Sequence, residues 1–383
     1  TERPVVSAGQ YGMNLNQLRF TVDADGEVTG LESAILPLMG PDPDGSGPGL
    51  PPALYPADPV VESIVADAKT EADVLGAVKL GQLAGPFNRA KLADGTTENR
   101  GGESTLGNKV AEVHRWATRN PESGSAQIAF MNPGGLRADM VGTVNGDARD
   151  LTYKQAAAVQ PFANTLVNMK LTGAQLETVL EQQWQRTPAG AVPSRPFLRL
   201  GVSDGFTYTY VETPVTVQDT ATFRGEVTGM WLAGEPIDPA ATYSVTVNSF
   251  LASGGDNFHA FADGADAADT GKADLAAMVD YMAEFAAQEP LPVDHSQRAV
   301  EVEFPADAPA SYAPGDTVTF DVGSWSMSTA DDVKDTEVEV WLGDTNLGAF
   351  PVDSTIGTDV YDQYGTATVQ AVLPATLAEG EHA

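Results

Sequence analysis

The chain has 383 residues, 42% of them hydrophobic, with 53 acidic against 21 basic side chains and a formal charge of −32. That length suits two or three domains with an ample core, and the acid excess argues against binding nucleic acid or an anionic membrane through the surface field. There is no Cys, which excludes disulfides and thiol chemistry, and no apolar run reaches the ~20 residues that span a bilayer.

In chain order, residues 4–23 alternate apolar and polar and predict two short strands around Gly9 and Gly12. Residues 36–58 are rich in Pro and Gly and read as a linker without its own core. Within them DPDGSG imitates the start of a calcium loop at Asp42, Asp44 and Ser46, but Ala53 stands where the bidentate Glu is needed. Pro59 opens a helix over 59–73 with Val61, Ile64, Val65 and Ala68 on one face. A second helix is expected over 104–119, with His114 on its surface, and SAQIAFMN is a short buried strand. Thr152/Gln155 and Thr172/Gln175 have the spacing of capping boxes, so a helix is predicted after each, with the strand TLVNMKL between them. GFTYTYVE, GEVTGMWLAG and TYSVTVNSF read as strands, and 271–287 as a helix with Leu275, Met278, Val279 and Met282 on one side. This mixture predicts an α+β or α/β region. From about residue 304, DTVTFDVG, TEVEVWLG and TATVQAVL alternate with period two, which predicts an all-β, immunoglobulin-like sandwich module. Both ends are read as interior to a longer protein, because a strand-like pattern is already under way at the first residues and an expected strand follows the last.

The segment FMNPGGLRADM, residues 130–140, carries the first chemical signal. An apolar run stops at Asn132 and Pro133, the main chain is bared at Gly134 and Gly135, and Arg137 follows. Two adjacent glycines let a backbone pass close to a ligand, and an arginine there is a local cation in an acidic protein. Taken alone, such a segment is a common turn.

Three segments in order, NPGGLRADM, VQPFANTLVNMKLTGAQLETVLEQQ and VNSFLASGGDNF, resemble the C-terminal domain of the 5′-nucleotidase family, and RPVVSAGQYGMNLNQLRFTVD resembles the last strands of its metallophosphatase domain. The resemblance covers about residues 4–298. It implies an α+β domain of α/β/β/α type, followed by the immunoglobulin-like module. The corresponding divisions are 1–29 for the end of the metallophosphatase domain, 30–58 for the linker, 59–303 for the nucleotide-binding domain and 304–383 for the sandwich.

The resemblance also implies a nucleotide ligand. Phe162 and Phe250 would sandwich the base, Asp256 would accept from the ribose hydroxyls, and Arg137 would reach ribose and phosphate. Arg100 matches a second family arginine, Asn132 would touch the base, and Asn164 matches a polar position beside it. Pro133 and Ala163 stand where many members have Gly, and Thr96 where some have Arg. The family's chemistry uses two divalent metal ions held in the metallophosphatase domain, so no metal ligand and no catalytic residue is expected here. His114, His259, His295 and His382 show no ligand spacing, although His259 could line the site. The expected function is substrate binding for a secreted, periplasmic or cell-surface 5′-nucleotidase-like phosphohydrolase. Two other readings remain: a non-catalytic surface binding protein, and a cyclic-nucleotide phosphodiesterase or a nucleotide-sugar or NAD diphosphatase of the same superfamily.

Overall fold

The structure is a computed structural model that describes residues 4–9, 12–40, 52–362, 364–377 and 380, so the calcium-like stretch Asp42–Gly47 lies outside the described residues. The chain forms two compact units, residues 1–74 and 75–383. In the first, β1 (Asn14–Val22) and β2 (Val28–Pro37) make an antiparallel hairpin, and α1 (Pro59–Gly76) runs through the boundary. Strand pairing therefore continues to Pro37, past the point where the linker was expected to start, and among the described residues of 4–23 one strand forms where two were expected. The expected helix is present, but Val61, Ile64 and Val65 are 56, 62 and 58% exposed. Helical periodicity decides which side chains share a face and says nothing about what covers that face.

The second unit runs β3 (Lys79–Leu83), α2 (Thr105–Ala117), β4 (Ile128–Met131), β5 (Thr143–Asn145), β6 (Ala148–Thr152), α3 (Tyr153–Val159), β7 (Thr165–Thr172), α4 (Gly173–Glu181), β8 (Gly201–Val202), β9 (Phe206–Val217), β10 (Thr220–Leu232), β11 (Glu235–Pro236), β12 (Thr242–Asn248), α5 (Ser249–Ala252), β13 (Ala265–Ala273), α6 (Asp274–Phe285), β14 (Ala299–Glu303), β15 (Thr317–Gly323), β16 (Glu337–Leu342), β17 (Thr345–Pro351) and β18 (Ala367–Val372). Both predicted capping boxes are made: Thr152 accepts from Gln155 N and Thr172 from Gln175 N, and each Gln side chain returns to the cap backbone. Ser104 caps α2 by accepting from Gly107 N at 3.0 Å.

A five-stranded sheet, β13-β7-β12-β4-β8, is the centre of the unit. One core gathers α2, α3 and α6 through Leu106, Val110, Val113, Val159, Met278 and Met282. A second joins Ile128, Met169 and Val245 of this sheet to Leu176 and Leu180 of α4 and to Tyr208 and Tyr210 of β9. The fold is thus mixed α/β, as the element pattern implies. Because α2 packs against β4, β8 and α6, all its faces are covered, and His114 is fully buried rather than on the surface. Burial pushes its pKa down to about 3, and its neutral Nε2 lies 3.1 Å from the donating Nε2 of Gln160.

The division drawn at residue 304 is not a break in the sheet structure. One six-stranded sheet, β11-β10-β9-β14-β15-β18, runs through that boundary. β14 lies parallel to β9 (Ala299↔Tyr208) and antiparallel to β15 (Val302↔Val322). Two tail strands, β15 and β18, extend the main domain's sheet, and among the described residues β16 and β17 pair in a separate two-stranded sheet. Alternation along a strand fixes its two faces, whereas the sheet it joins is decided by which edge has backbone groups left to pair.

A buried polar network fastens the same region. Arg199 is almost wholly buried; it donates to the Tyr208 hydroxyl at 3.0 Å and the Tyr210 hydroxyl at 2.8 Å, and it pairs with Asp362 at 3.4 Å. Glu103 accepts from Asn108 Nδ2 at 2.6 Å, Arg298 N at 2.9 Å and Ala299 N at 3.1 Å.

Burial, followed by the neighbouring Glu212 carboxylate, pushes the Glu301 carboxyl up to about 7. The folded chain therefore holds a proton that the unfolded chain releases near the ordinary value of 4.5. The stability this contributes is fully present below that value and is lost as pH rises through about 7. Glu301→Gln is expected to flatten the fall in melting temperature between pH 5 and 8. An unchanged slope in a thermal-denaturation series would show that Glu301 is already ionised in the folded state.

Candidate functional site

β4 and β12 are parallel neighbours, paired Ile128↔Val245 and Ala129↔Thr246, so their carboxyl ends emerge side by side. Asn132 follows the last residue of β4, and Asn248 is the last of β12. β7 runs antiparallel to β12 with Leu166 opposite Asn248, which brings the segment just before β7 to the same edge. Four loops therefore converge: the turn Pro133–Gly135, the stretch with Phe162 and Asn164, α5 with Phe250, and the short turn Gly255–Asn257 with Asp256. Ligand crevices of α/β sheets form at this kind of edge.

The convergence encloses a cavity of about 390 Å³ lined by Arg100, Asn132, Gly134, Gly135, Phe162, Asn164, Asn248, Phe250 and Asp256. Eight of the nine residues singled out in the sequence are in this lining. The ninth, Arg137, stands on its rim, with its guanidinium carbon 5.8 Å from the Phe162 ring centre and its Nη1 donating to Gly134 O at 3.3 Å. Phe162 and Phe250 are 56% and 44% exposed, although most other phenylalanines of the two cores are sealed. Leaving two rings half in water forgoes hydrophobic stabilisation, on the order of 25 cal/mol per Å² left exposed.

The polar floor is tightly connected. Asn248 Nδ2 donates to Asn132 Oδ1 at 3.0 Å, and Asn132 Nδ2 donates to Asp256 Oδ2 at 2.8 Å. Asn248 Oδ1 accepts from Leu251 N at 2.9 Å, capping α5, which carries Phe250. Both amides are buried, and Asn132 has its Oδ1 and one amide hydrogen engaged, so in this geometry it aims the Asp256 carboxylate. Asp256 itself is held in the left-handed region, φ 55° and ψ 30°. Strain of that kind costs roughly 1–3 kcal/mol and persists only where the surroundings impose it. Arg100 pairs with Glu98 at 3.4 Å. Asn164 ties back to Asp274 at the start of α6, through its backbone N at 3.2 Å and its Nδ2 at 3.4 Å.

Two glycines sit at close approaches. A Cβ on Gly134 would stand 3.2 Å from Asp256 Oδ2 and 3.3 Å from Arg100 Nη1, inside the cluster of polar groups. A Cβ on Gly255 would stand 2.5 Å from the Phe250 ring, which therefore lies close against that main chain. Gly255 and Asn248 were missed in the sequence. Gly255 belongs to the SGGD segment already quoted, but Asn248 at a strand end has no local signal. His259 does not line this cavity; it faces a separate one with Trp184, Arg186 and Arg224. Among the described residues no three His, Asp or Glu side chains are grouped to hold a metal ion. The set presents two aromatic faces, a carboxylate, amides and guanidinium groups around one cavity.

Residues 79–263 match the family profile for the 5′-nucleotidase C-terminal domain. That stretch of the chain belongs to this family. A cell wall protein of Listeria monocytogenes is 31% identical over 160 residues, 42% of this chain and 18% of that protein. A 5′-nucleotidase of Vibrio cholerae is 27% identical over 202 residues, 53% of this chain and 30% of that protein. The crystal structure of a 5′-nucleotidase precursor from Thermus thermophilus aligns over 80% of this chain and 52% of its own, at 25% identity and a TM-score of 0.48. The alignments with the two curated relatives span 18% and 30% of their lengths.

Within the stretch that matches the 5′-nucleotidase C-terminal domain, Ala163 has φ +53°. An alanine in that region is strained, so Ala163→Gly is expected to stabilise the chain by about 1 kcal/mol or less. Urea denaturation measures this; a destabilisation of similar size would mean that the alanine methyl packs usefully.

Proposed function

We propose that the cavity binds a nucleotide, with its base between Phe162 and Phe250, its ribose hydroxyls on Asp256 and its phosphate side towards Arg100 and Arg137. The observation that carries this reading is the company the two rings keep. Two half-exposed phenylalanines share one 390 Å³ cavity with a fixed carboxylate and a guanidinium, a combination that packing alone does not call for. A flat aromatic base is satisfied by faces on either side, each stack contributing roughly 1–3 kcal/mol. A diol needs an acceptor, which the Asn132-aligned carboxylate provides. The phosphate needs cations, which are scarce in a chain of formal charge −32.

In this proposal the whole protein is a secreted or cell-surface, metal-dependent 5′-nucleotidase-like phosphohydrolase, and this domain is its substrate-binding part. The cell wall protein of Listeria and the 5′-nucleotidase of Vibrio among its relatives support location and reaction class respectively. When bound, two divalent ions supply Lewis-acid stabilisation and an activated water at phosphorus. The described residues provide no ligand group for those ions, so their holders would be other residues of the protein. What this chain does is hold the base and ribose so that the phosphate projects from the open side of the cavity past the guanidinium groups.

Phe250→Ala tests the reading, because it removes one stacking face while leaving the buried amide chain in place. Calorimetry with AMP and UMP should show a five- to hundredfold weaker dissociation constant, the equivalent of roughly 1–3 kcal/mol. Affinity that is unchanged with both nucleotides would end the base-stacking assignment.

A further inference from the structure

The loop bearing Arg100 is held from outside the family domain. Arg100 is flanked by Asn99 and Gly101, and both are gripped by residues among 357–362 and Tyr364, almost a hundred residues beyond the matched stretch 79–263. The Tyr364 hydroxyl accepts from Asn99 Nδ2 at 3.0 Å and donates to Asp359 O at 2.7 Å. With its Nδ2 so oriented, Asn99 presents Oδ1 to Gly101 N at 3.0 Å. A Cβ on Gly101 would lie 1.7 Å from Val360 O, so the tail main chain rests directly on this glycine. Two residues on, Glu103 N donates to Asp362 Oδ2 at 3.1 Å, and the same oxygen pairs with Arg199 Nη2 at 3.4 Å. Arg199 N in turn donates to Arg100 O at 2.9 Å. At the near end of the loop Ala93 N donates to Gly357 O at 3.0 Å.

Apart from the bond from Arg199 N to Arg100 O, every restraint just named acts on Arg100 through its neighbours, and none involves any other residue of the cavity lining. The Arg100 side chain is left to enter that cavity, where its Nη1 comes within 3.3 Å of the space above Gly134. A long, flexible side chain delivers a guanidinium accurately only if its own backbone is fixed, because each lost restraint spreads the charged group over more rotamers. We infer that Tyr364 and Asp362 are positioning residues for Arg100, so that the tail beyond residue 304 is a working part of the ligand site. Tyr364 fixes the Asn99–Gly101 bracket, and Asp362 fixes the far end of the loop and the Arg199 that holds Arg100 O. The inference rests on the nucleotide reading above and adds to it that the tail governs recognition of the charged end of the ligand.

The test separates that charged end from the base. AMP and adenosine share base and ribose and differ in the phosphate, so an effect routed through Arg100 changes the ratio of their affinities. In the 383-residue chain, Tyr364→Phe keeps the ring and loses only the hydroxyl. It is expected to weaken AMP about two- to tenfold, the range for losing one buried neutral hydrogen bond, with adenosine unchanged. Arg100→Ala should show the same selectivity more strongly, and the double variant should lose little beyond Arg100→Ala alone, because the hydroxyl no longer has a guanidinium to place. Asp362→Asn, which retains the acceptor for Glu103 N, should fall between wild type and Arg100→Ala in its AMP-to-adenosine ratio. Equal weakening of both ligands by Tyr364→Phe, or additive losses in the double variant, would assign Tyr364 to general stability and overturn the inference. If the wild-type chain binds neither AMP nor adenosine, the nucleotide reading itself falls, and the inference falls with it.

Discussion

The parallel register of β4 and β12 is the constraint from which the site follows. Pairing Ile128 with Val245 puts the ends of both strands at one edge, and each strand leads into an asparagine there. Asn132 and Asn248 are buried, and a buried amide left unpaired costs about 1–3 kcal/mol. They satisfy each other at 3.0 Å, and the chain of donors then terminates on the Asp256 carboxylate at 2.8 Å. A hydrogen bond to a charged acceptor is the strong kind, roughly 1.5–3 kcal/mol net. That is enough to hold Asp256 in its left-handed backbone conformation, which also places the loop glycine Gly255 beneath the Phe250 ring. The polar floor and one of the two aromatic walls thus depend on the same few buried hydrogen bonds.

Anchorage on the opposite side is ionic. Arg199, Asp362 and Glu103 are all withdrawn from water, and burial pushes the Asp362 carboxyl up to about 7 against the pull of the guanidinium beside it. Buried charges of this sort seldom add net stability over an apolar replacement, but removing one partner strands the other at a cost of about 3–5 kcal/mol. The network has a fixed geometry: two tyrosine hydroxyls of β9, a tail carboxylate and the backbone of the Arg100 loop all meet at Arg199. Such an arrangement penalises any slippage of the tail against the domain. The continuous sheet through β9, β14 and β15 gives the same rigidity by backbone pairing.

Local chemistry was legible in the sequence wherever one short segment determines the outcome. The capping boxes at Thr152 and Thr172 are examples, because cap and partner lie three residues apart and need nothing from the rest of the chain. Segments whose structure is imposed from outside were not legible. β13, Ala265–Ala273, is a mostly exposed run of Ala, Asp and Thr with no strand pattern, and it is a strand because β7 offers it an edge. β14 is five residues that gain their place by pairing on both sides. His114 falls where a helix normally meets solvent, and only the packing of α6 and the sheet around α2 buries it.

The sequence by itself determined the types of the strongly periodic and capped elements, the glycine-bared turn after β4 and the chemical types of the candidate site: two rings, a carboxylate, amides and guanidinium groups. Those follow from short-range sterics and from the resemblance carried by three contiguous motifs. Tertiary structure decided that Asn132 is an aligner of Asp256, that Asn248 belongs to the floor, and that residues beyond 304 extend the domain's sheet and brace Arg100. These are contacts between residues up to 265 positions apart, as Asn99 and Tyr364 are. Hydrophobic period and turn chemistry report on a few neighbouring residues at a time, so partners at that separation become defined only when strand register and buried polar groups are satisfied together.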